Sequence, residues 1–462
     1  MKKQNRVAFF NFLSVILLRG ISIFTAPLFS RILGTGGYGV VSIYTIWVGV
    51  VAIVFPLQVH GTLPTARVEY PENRQDQYHS SIMTLAIVAF AILSAIVLIF
   101  VRPIASLMQL DTILIPLILF HAFCNFCVQF LNSKFVYEYR ADLNCFVSVL
   151  VAVLTLVLSL VFVLNMPMEY RHYGRILALC ATYGVVGLSA CFYILHRGKT
   201  FYNKEFWNFC LPLAVPFVFY NLSDLILGQS DRVMLQQMMS ESAVGQYSLA
   251  LSFAMIMFTI FMALNKCWCP FFFDDMKYGR RENVDRQGKS FLELFTVLSM
   301  GFVLLHREVF QVFASRDFWP GMGCIPIFVT GYYLNFLCTF PVNYEYYHKK
   351  TKAVAIVTIT AAVVNIGLNY VLIQNFGILG AAMATTVSHG LQFCAHFIYA
   401  RFCLGREDYP FHARKWLAPF GLYAAVVVLT YLTPGLWLLR WGLGAAIGIW
   451  ELLRIKKRGS LF

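Results

Sequence analysis

The sequence predicts an all-helical membrane protein that crosses the bilayer about fourteen times, and three observations support this fold class. Of its 462 residues, 59% are hydrophobic and only 13% are charged, whereas a soluble protein has about 25% charged residues. Apolar runs of about 20 residues, long enough to span a bilayer as helices, recur along the whole chain. The segments between these runs are too short for a soluble domain, because the longest, residues 265–290, has 26 residues.

The apolar runs predict fourteen spans. The first run is too long for a signal peptide and is followed by a charged turn, which indicates a retained membrane span. The ninth run is interrupted by Arg307 and Glu308. The predicted spans are residues 8–30, 39–59, 80–101, 112–133, 145–165, 175–196, 208–228, 244–264, 291–314, 323–344, 354–373, 378–402, 416–433 and 436–453.

The distribution of positive charge predicts the orientation of these spans. With the N-terminus in the cytoplasm, 27 of the 36 Lys and Arg residues fall in cytoplasmic segments and 8 fall on the opposite side. Cytoplasmic loops of membrane proteins are enriched in Lys and Arg, so we expect both termini to be cytoplasmic. The formal charge of +14 then reflects topology and contact with anionic membrane lipids, and it does not indicate nucleic-acid binding.

An internal repeat divides the predicted spans into two lobes. Three pairs of similar stretches place a six-helix unit at spans 1–6 and again, in the same orientation, at spans 7–12, which is the parallel type of repeat found in transporters. We therefore predict an N-terminal lobe at 1–200, a C-terminal lobe at 201–405, and two additional helices with a basic cytoplasmic tail at 406–462. Two such lobes with a site between them are typical of alternating-access transporters. The paired positions are Tyr137 and Tyr344, Gly39 and Gly245, and Gly174 and Gly377, at offsets of 207, 206 and 203.

Arg19 lies near the middle of the first span, where a charge costs about 2.5–3.5 kcal/mol on insertion scales. On a helix, Arg19 shares a polar arc of about 160° with other polar residues of this span. This face either lines a water-filled cavity in which Arg19 meets an anionic group, or it buries Arg19 in a structural ion pair. The other polar residues of the arc are Asn11, Ser14, Ser22, Thr25 and Ser30.

The seventh span is the repeat partner of the first and contains Asn221 and Asp224 near its centre. Asp224 is close to the position that the repeat assigns to Arg19, so the two side chains are predicted to face each other. Asp224 is then a counter-ion for Arg19, a carboxylate that couples transport to H+ or Na+, or a purely structural residue. We expect Arg19, Asn11, Ser22, Asn221 and Asp224 to bind substrate.

Two repeat-related turns end the first and seventh spans. Arg31 precedes the Gly-rich turn that leads to Gly39, while Asp231 and Arg232 precede the turn that leads to Gly245. A charged pair at a membrane edge contributes little energy, so its predicted role is to fix the turn and to close a gate.

Lys266 lies at the cytoplasmic end of span 8 and begins a basic loop that would attract a phosphate-bearing substrate. Topology alone also explains a basic loop on this side. The sequence contains no Walker motif, metal-ligand cluster or Ser/His/Asp arrangement, so it predicts no enzyme and no cofactor. Energy for transport would come from an ion gradient, the membrane potential or mass action.

Three stretches resemble one family of transporters. PLFSRILGTGGYG after the first span, DRVMLQQMMSESAVGQYSLA after the seventh, and NYVLIQNFGILGAAMATTVS across spans 11 and 12 are similar to polysaccharide-unit flippases. These flippases form the Wzx-type branch of the MOP exporter superfamily. The resemblance implies translocation of undecaprenyl-pyrophosphate-linked oligosaccharides across the bacterial cytoplasmic (inner) membrane, for O-antigen, exopolysaccharide or related surface polysaccharides. Cationic residues in the cavity of such flippases meet the pyrophosphate or acidic sugars, and Arg19 has such a place here.

Three alternatives stay open at this point. A MATE-like ion-coupled drug exporter would favour acidic cavity residues, for which Asp224 is the central candidate. A lipid II flippase is a close relative within the same class. A membrane-embedded polysaccharide polymerase belongs to a different class, and the duplicated lobes and short loops opposite the cytoplasm disfavour it. The resemblance also allows contacts with other polysaccharide-assembly membrane proteins.

Overall fold

The structure, a computed structural model, describes the backbone of residues 3–404, 409–412 and 414–458. Within these ranges it describes all side chains except those of residues 3–20, 22–24, 224, 227, 351, 414, 455, 457 and 458.

The described chain is all-helical, as the sequence predicts, and contains no β-strand in these ranges. Short 3-10 helices occupy Val59–Thr62, Met168–Tyr170 and Arg316–Gly323, and a π-helical turn occupies Tyr399–Leu404. The α-helices are α1 (Lys3–Val54), α2 (Leu63–Glu69), α3 (Glu72–Ile99), α4 (Val101–Met108), α5 (Leu114–Tyr137), α6 (Ala141–Leu164), α7 (Arg171–Gly198), α8 (Lys204–Met238), α9 (Glu241–Lys277), α10 (Arg281–Phe313), α11 (Cys324–Tyr347), α12 (Thr351–Ile398), α13 (Arg414–Leu432) and α14 (Trp437–Arg458).

Helices α1 and α12 each contain two predicted spans joined at a glycine. A straight helix rises about 1.5 Å per residue, so the 52 residues of α1 would far exceed a hydrocarbon core of about 30 Å. Gly34 in α1 has φ 68° and Gly377 in α12 has φ 57°, which is the left-handed region that glycine enters without a Cβ penalty. The helical path breaks at these two residues, between predicted spans 1 and 2 and between spans 11 and 12.

Eleven helices of the described chain are long and apolar enough to cross a membrane. Helix α14 covers predicted span 14 but is not among the eleven, because Arg440, Glu451 and Arg454 interrupt its apolar run. When α1 and α12 are counted as two spans each and α14 is added, the described helices accommodate the fourteen predicted spans.

The chain forms two compact units, Met1–Gly245 and Gln246–Phe462. In the first unit, α7 packs against α3, α5 and α6 and also contacts α1. Gly187 permits the closest approach of α5 and α7, since a Cβ there would lie 2.4 Å from the backbone oxygen of Cys124. Small residues allow transmembrane helices to pack this closely. The seventh predicted span, α8, contacts α1 and α3 within this unit.

In the second unit, α11 packs along α12, and α10 packs against α11, α13 and α14. An ion pair explains why a carboxylate interrupts the ninth predicted span. The Arg440 guanidinium on α14 donates to Glu308 on α10, and the Trp441 indole N–H donates to the other Glu308 oxygen at 3.2 Å. A second pair joins the same helices, because Arg454 lies 2.9 Å from Glu293. The predicted lobe boundaries at residues 201 and 406 stay predictions.

Candidate functional site

The turn that follows Gly34 lies against the start of α9, and two glycines form the contact. A Cβ on Gly39 would lie 1.9 Å from the backbone oxygen of Glu241, and a Cβ on Gly245 would lie 2.0 Å from the backbone oxygen of Thr35. No side chain fits either position, so the two backbones touch directly. The Ser242 hydroxyl donates to the Thr35 hydroxyl at 2.7 Å. We call these residues, Thr35, Gly39, Glu241, Ser242 and Gly245, the glycine contact.

The glycine contact has the symmetry of the sequence repeat. Thr35 and Glu241 are separated by 206 residues, as are Gly39 and Gly245. The two carbonyls that the glycines approach, those of Glu241 and Thr35, are therefore also related by the repeat. A Cβ placed on either glycine would lie 3.1–3.2 Å from the backbone nitrogen of the other glycine. A self-complementary contact of this kind is what two equivalent surfaces form about a two-fold axis. The structure thus brings together the two turns that the sequence singled out.

A polar cavity of about 470 Å³ lies beside the glycine contact within the first unit. Its lining includes Gln109, Asp111, His172 and Glu241. The hydroxyl of Tyr173, the residue after His172, donates to Asp111. The backbone carbonyl of Gln109 accepts a hydrogen bond from Gln236 on α8 at 3.0 Å. The end of α8 is thereby tied to the segment between α4 and α5.

The other predicted gate residues lie on α1 and α8. The Arg31 side chain is exposed on α1. Asp231 on α8 is buried, and its carboxylate accepts the backbone N–H of Arg232 at 2.8 Å. Their predicted role in closing a gate stays a prediction.

Four of the predicted substrate-binding side chains, those of Asn11, Arg19, Ser22 and Asp224, lie outside the side chains that the structure describes. The predicted approach of Arg19 and Asp224 is therefore untested. Of the remaining two, the Asn221 amide donates to the backbone oxygen of Phe217 in its own helix at 2.8 Å. Lys266 is exposed on α9.

A cluster of charged residues in the first unit was missed by the sequence reasoning. The Lys134 side chain, only 1% exposed, contacts the carboxylate of Asp76, lies 2.8 Å from Glu138 and lies 3.1 Å from His79 Nδ1. Arg197 Nε is 3.1 Å from the second Asp76 oxygen. Asp76, His79 and Glu138 are close enough together to hold a metal ion, but the Lys134 ammonium contacts all three and supplies the positive charge. The one sequence signal was the spacing of Lys134 and Glu138, four residues apart on one helix face.

Two separate sets of hydrogen-bonded polar side chains are buried in the second unit. The Asn369 amide donates to Asn365 at 2.9 Å, and the Asn365 amide donates to Ser388 at 3.2 Å, which links the two halves of α12. Hydrogen bonds of this kind are common between membrane-spanning helices. His396 and Glu345 form a separate pair at 2.9 Å, and neither side chain is exposed.

Solved structures share this architecture. The chain is similar to a structure described as "Lipid II flippase MurJ, inward closed conformation", with TM-score 0.68 and 14% identity over 98% of this chain and 99% of that one. It is also similar to an inward-facing multidrug resistance MATE family transporter of the MOP superfamily, with TM-score 0.64 and 14% identity over 83% and 94% of the two chains. The protein is thus a polytopic membrane protein with a MurJ- and MATE-like fold.

The family follows from the sequence comparison. Residues 6–276 match the family described as "Polysaccharide biosynthesis protein", so the chain belongs to this family. The predicted resemblance to a polysaccharide biosynthesis family is thereby confirmed. The chain is also 25% identical over 202 residues to an "Uncharacterized membrane protein" of Haemophilus influenzae, a match that covers 42% of this chain. It spans about half the length, 49%, of that curated relative.

Proposed function

We propose that this protein is a flippase for undecaprenyl-pyrophosphate-linked oligosaccharide repeat units. It moves them by alternating access from the cytoplasmic to the outer leaflet of the bacterial cytoplasmic membrane, for surface polysaccharide biosynthesis. Membership in a polysaccharide biosynthesis family and the flippase- and transporter-like fold support this function. The reaction needs a protein, because a head group of several sugars and a pyrophosphate cannot cross about 30 Å of hydrocarbon unaided.

The glycine contact is the observation that most supports alternating access. A gate must close tightly and yet open in every cycle. Here the two backbones meet at two glycines, and the Ser242 hydroxyl donates a hydrogen bond to the Thr35 hydroxyl across the contact. A single neutral hydrogen bond contributes only about 0.5–1.5 kcal/mol. The contact therefore excludes substrate by close approach while it costs little to separate.

In this proposal the polar face of α1 meets the pyrophosphate. Arg19 supplies the positive charge, with Asn11 and Ser22 on the same face and Asn221 and Asp224 on the repeat-related helix. A charge-assisted hydrogen bond to a phosphate is about twice as strong as a neutral one. Lys266, exposed on α9, attracts the phosphate from the cytoplasm. The lipid tail stays in the bilayer, and both chain termini face the cytoplasm. Transport needs no cofactor and draws its energy from an ion gradient, the membrane potential or mass action.

A strain that lacks the protein tests the function and its alternatives. The flippase predicts that lipid-linked repeat units accumulate on the cytoplasmic leaflet and that surface polysaccharide is lost. If units reach the outer leaflet but stay unpolymerised, the protein is a polymerase. Normal polysaccharide together with reduced efflux of a cationic dye would indicate a drug exporter, and accumulation of the peptidoglycan precursor lipid II would indicate a lipid II flippase.

Complementation of that strain tests Arg19. Arg19→Ala should abolish complementation, while Arg19→Lys should retain part of it, because lysine keeps the charge but loses the bidentate geometry that arginine offers to phosphate. Full activity of the alanine variant at normal protein level would remove Arg19 from the site.

A further inference from the structure

Glu345 and His396 form a fully buried acid–base pair in the second unit. Glu345 lies near the end of α11, and His396 lies near the end of α12. His396 Nδ1 is 2.9 Å from one Glu345 oxygen, and both side chains are 0% exposed. The π-helical turn Tyr399–Leu404 begins three residues after His396. Such irregular turns are frequent at functional sites in helices.

The polar atoms of Glu345 and His396 that do not contact each other have no hydrogen-bond partner among the described residues. Among the described residues, the second oxygen of Glu345 and His396 Nε2 have no hydrogen-bond partner, and neither has the hydroxyl of Tyr409. Burial, and then the charge of Glu345, raise the pKa of Tyr409 well above its ordinary value, so this hydroxyl stays protonated. Unpaired buried polar atoms are costly. Three such atoms lie at this site.

No lysine or arginine in the described chain forms an ion pair with Glu345. Among the described residues, the titratable or charged side chains near the pair include Cys338 and Tyr344 from α11, His348 after it, Cys394 from α12, Cys269 from α9, Arg401 from the π-helical turn and Tyr409 after that turn.

The sequence repeat provides an internal comparison. Glu138 in the first unit corresponds to Glu345, because the offset between the matched stretches is 207. Glu138 is 2.8 Å from Lys134, whose side chain is 1% exposed. The residue that corresponds to Lys134 in the second unit is Pro341, which has no charge. Glu345 depends instead on His396, an imidazole that is charged only when it holds a proton.

A carboxylate without a counter-charge in a dry interior costs several kcal/mol or more. One proton removes this cost, whether it resides on Glu345 as a carboxylic acid beside neutral imidazole or on His396 as imidazolium beside carboxylate. Both arrangements have a net charge of zero and differ only in the position of the proton. Loss of the proton would leave one uncompensated negative charge, which only access to water would stabilise.

We propose that Glu345 and His396 are a proton-binding site that holds one shared proton in this conformation and releases it when the site becomes hydrated. If the protein is the proposed flippase, this site makes the proton the coupling ion, and one proton is exchanged per cycle. The Lys134 cluster in the first unit has its own cation and exchanges none.

Infrared spectroscopy of the purified full-length protein during a pH titration tests proton binding directly. The wild-type protein should show one titrating event, in a carboxylic acid or imidazolium band, that is missing in both Glu345→Gln and His396→Lys. His396→Lys supplies the permanent cation present in the first unit, so it should fold even if Glu345→Gln does not. The control is His412→Gln, which removes an exposed histidine located 3.6 Å from Asp285 and should keep the event.

Two results would overturn the proposal. The first is an identical titration of the wild-type protein and His396→Lys. The second is a carboxylate signal that changes with sodium chloride at constant pH and not with pH, since this would assign the site to a metal cation. The spectroscopic result does not depend on transport. If the deletion strain accumulates no lipid-linked units, the proposed flippase function fails while the proton site is still judged by its own titration.

Discussion

Alanine at Gly39 is expected to force the glycine contact open. Its Cβ would lie 1.9 Å from the Glu241 carbonyl oxygen, whereas Cβ contacts in proteins are essentially never below 3.0 Å. The two backbones would therefore have to separate by at least 1.1 Å, the difference between these two distances. Overpacking of this kind costs about 1–3 kcal/mol, and the cost falls only on the closed state. A coupling of about 1–3 kcal/mol corresponds to about 5–150-fold, which is the expected shift from the closed to the open state.

A disulfide across the contact measures this shift. Thr35→Cys and Ser242→Cys replace two hydroxyls that are 2.7 Å apart, so the new thiols should lie within reach of an S–S bond when the contact is closed. We expect the Gly39→Ala protein to form this disulfide more slowly than the protein with Gly39, by up to the about 5–150-fold shift of the equilibrium. The twelve native cysteines are distinguished by mass spectrometry of the cross-linked peptides.

Gly36→Ala is the matched control for Gly39→Ala. Gly36 belongs to the same turn, but a Cβ there would meet nothing within 4 Å. It should leave the rate of disulfide formation unchanged. Equal rates for Gly39→Ala and Gly36→Ala would show that the close backbone approach at Gly39 does not limit closure.

Two further predictions concern stability. Arg440→Ala should lower the free energy of unfolding by about 3 kcal/mol, because Glu308 would lose its counter-charge. This value is the lower end of the range for breaking a buried ion pair. Thermal unfolding in detergent measures the loss, and Arg102→Ala, at an exposed position, is the control. Burial lowers the pKa of His60 from its ordinary 6.5 to about 4. Between these pH values the unfolded chain binds a proton that the folded chain does not, so stability falls as the pH falls. His60→Gln should reduce this decline, and an unchanged pH profile would show that His60 does not contribute.

The sequence predicted the features that depend on local pattern. Apolar runs indicated the membrane spans, and the repeat placed Gly39 and Gly245 at equivalent positions. The left-handed backbone at Gly34 and Gly377 falls where the spans were predicted to end. These features follow from hydropathy and from the conformational freedom of glycine, both of which are visible in a single sequence.

The buried ion pairs depended on packing and were not predicted. Lys134 and Asp76 are 58 residues apart, and Arg440 and Glu308 are 132 residues apart. In a hydropathy profile each of these charges only interrupts an apolar run, because its partner lies on another helix. Only the contact of α10 with α14 shows that Glu308 is stabilised within its span. Similarly, the repeat that pairs Tyr137 with Tyr344 also relates Glu138 to Glu345, but the contact with His396 required the packing of α11 on α12.

Flipping by the cross-linked protein shows whether the glycine contact must open for transport. The Thr35→Cys, Ser242→Cys protein is reconstituted in liposomes with an undecaprenyl-pyrophosphate-linked oligosaccharide, and the sugar that reaches the opposite leaflet is measured before and after reduction. We predict that the disulfide stops flipping and that a reductant restores it, because the glycine contact must open in each cycle. Flipping at the same rate with the disulfide intact would contradict the assignment of this contact as the gate.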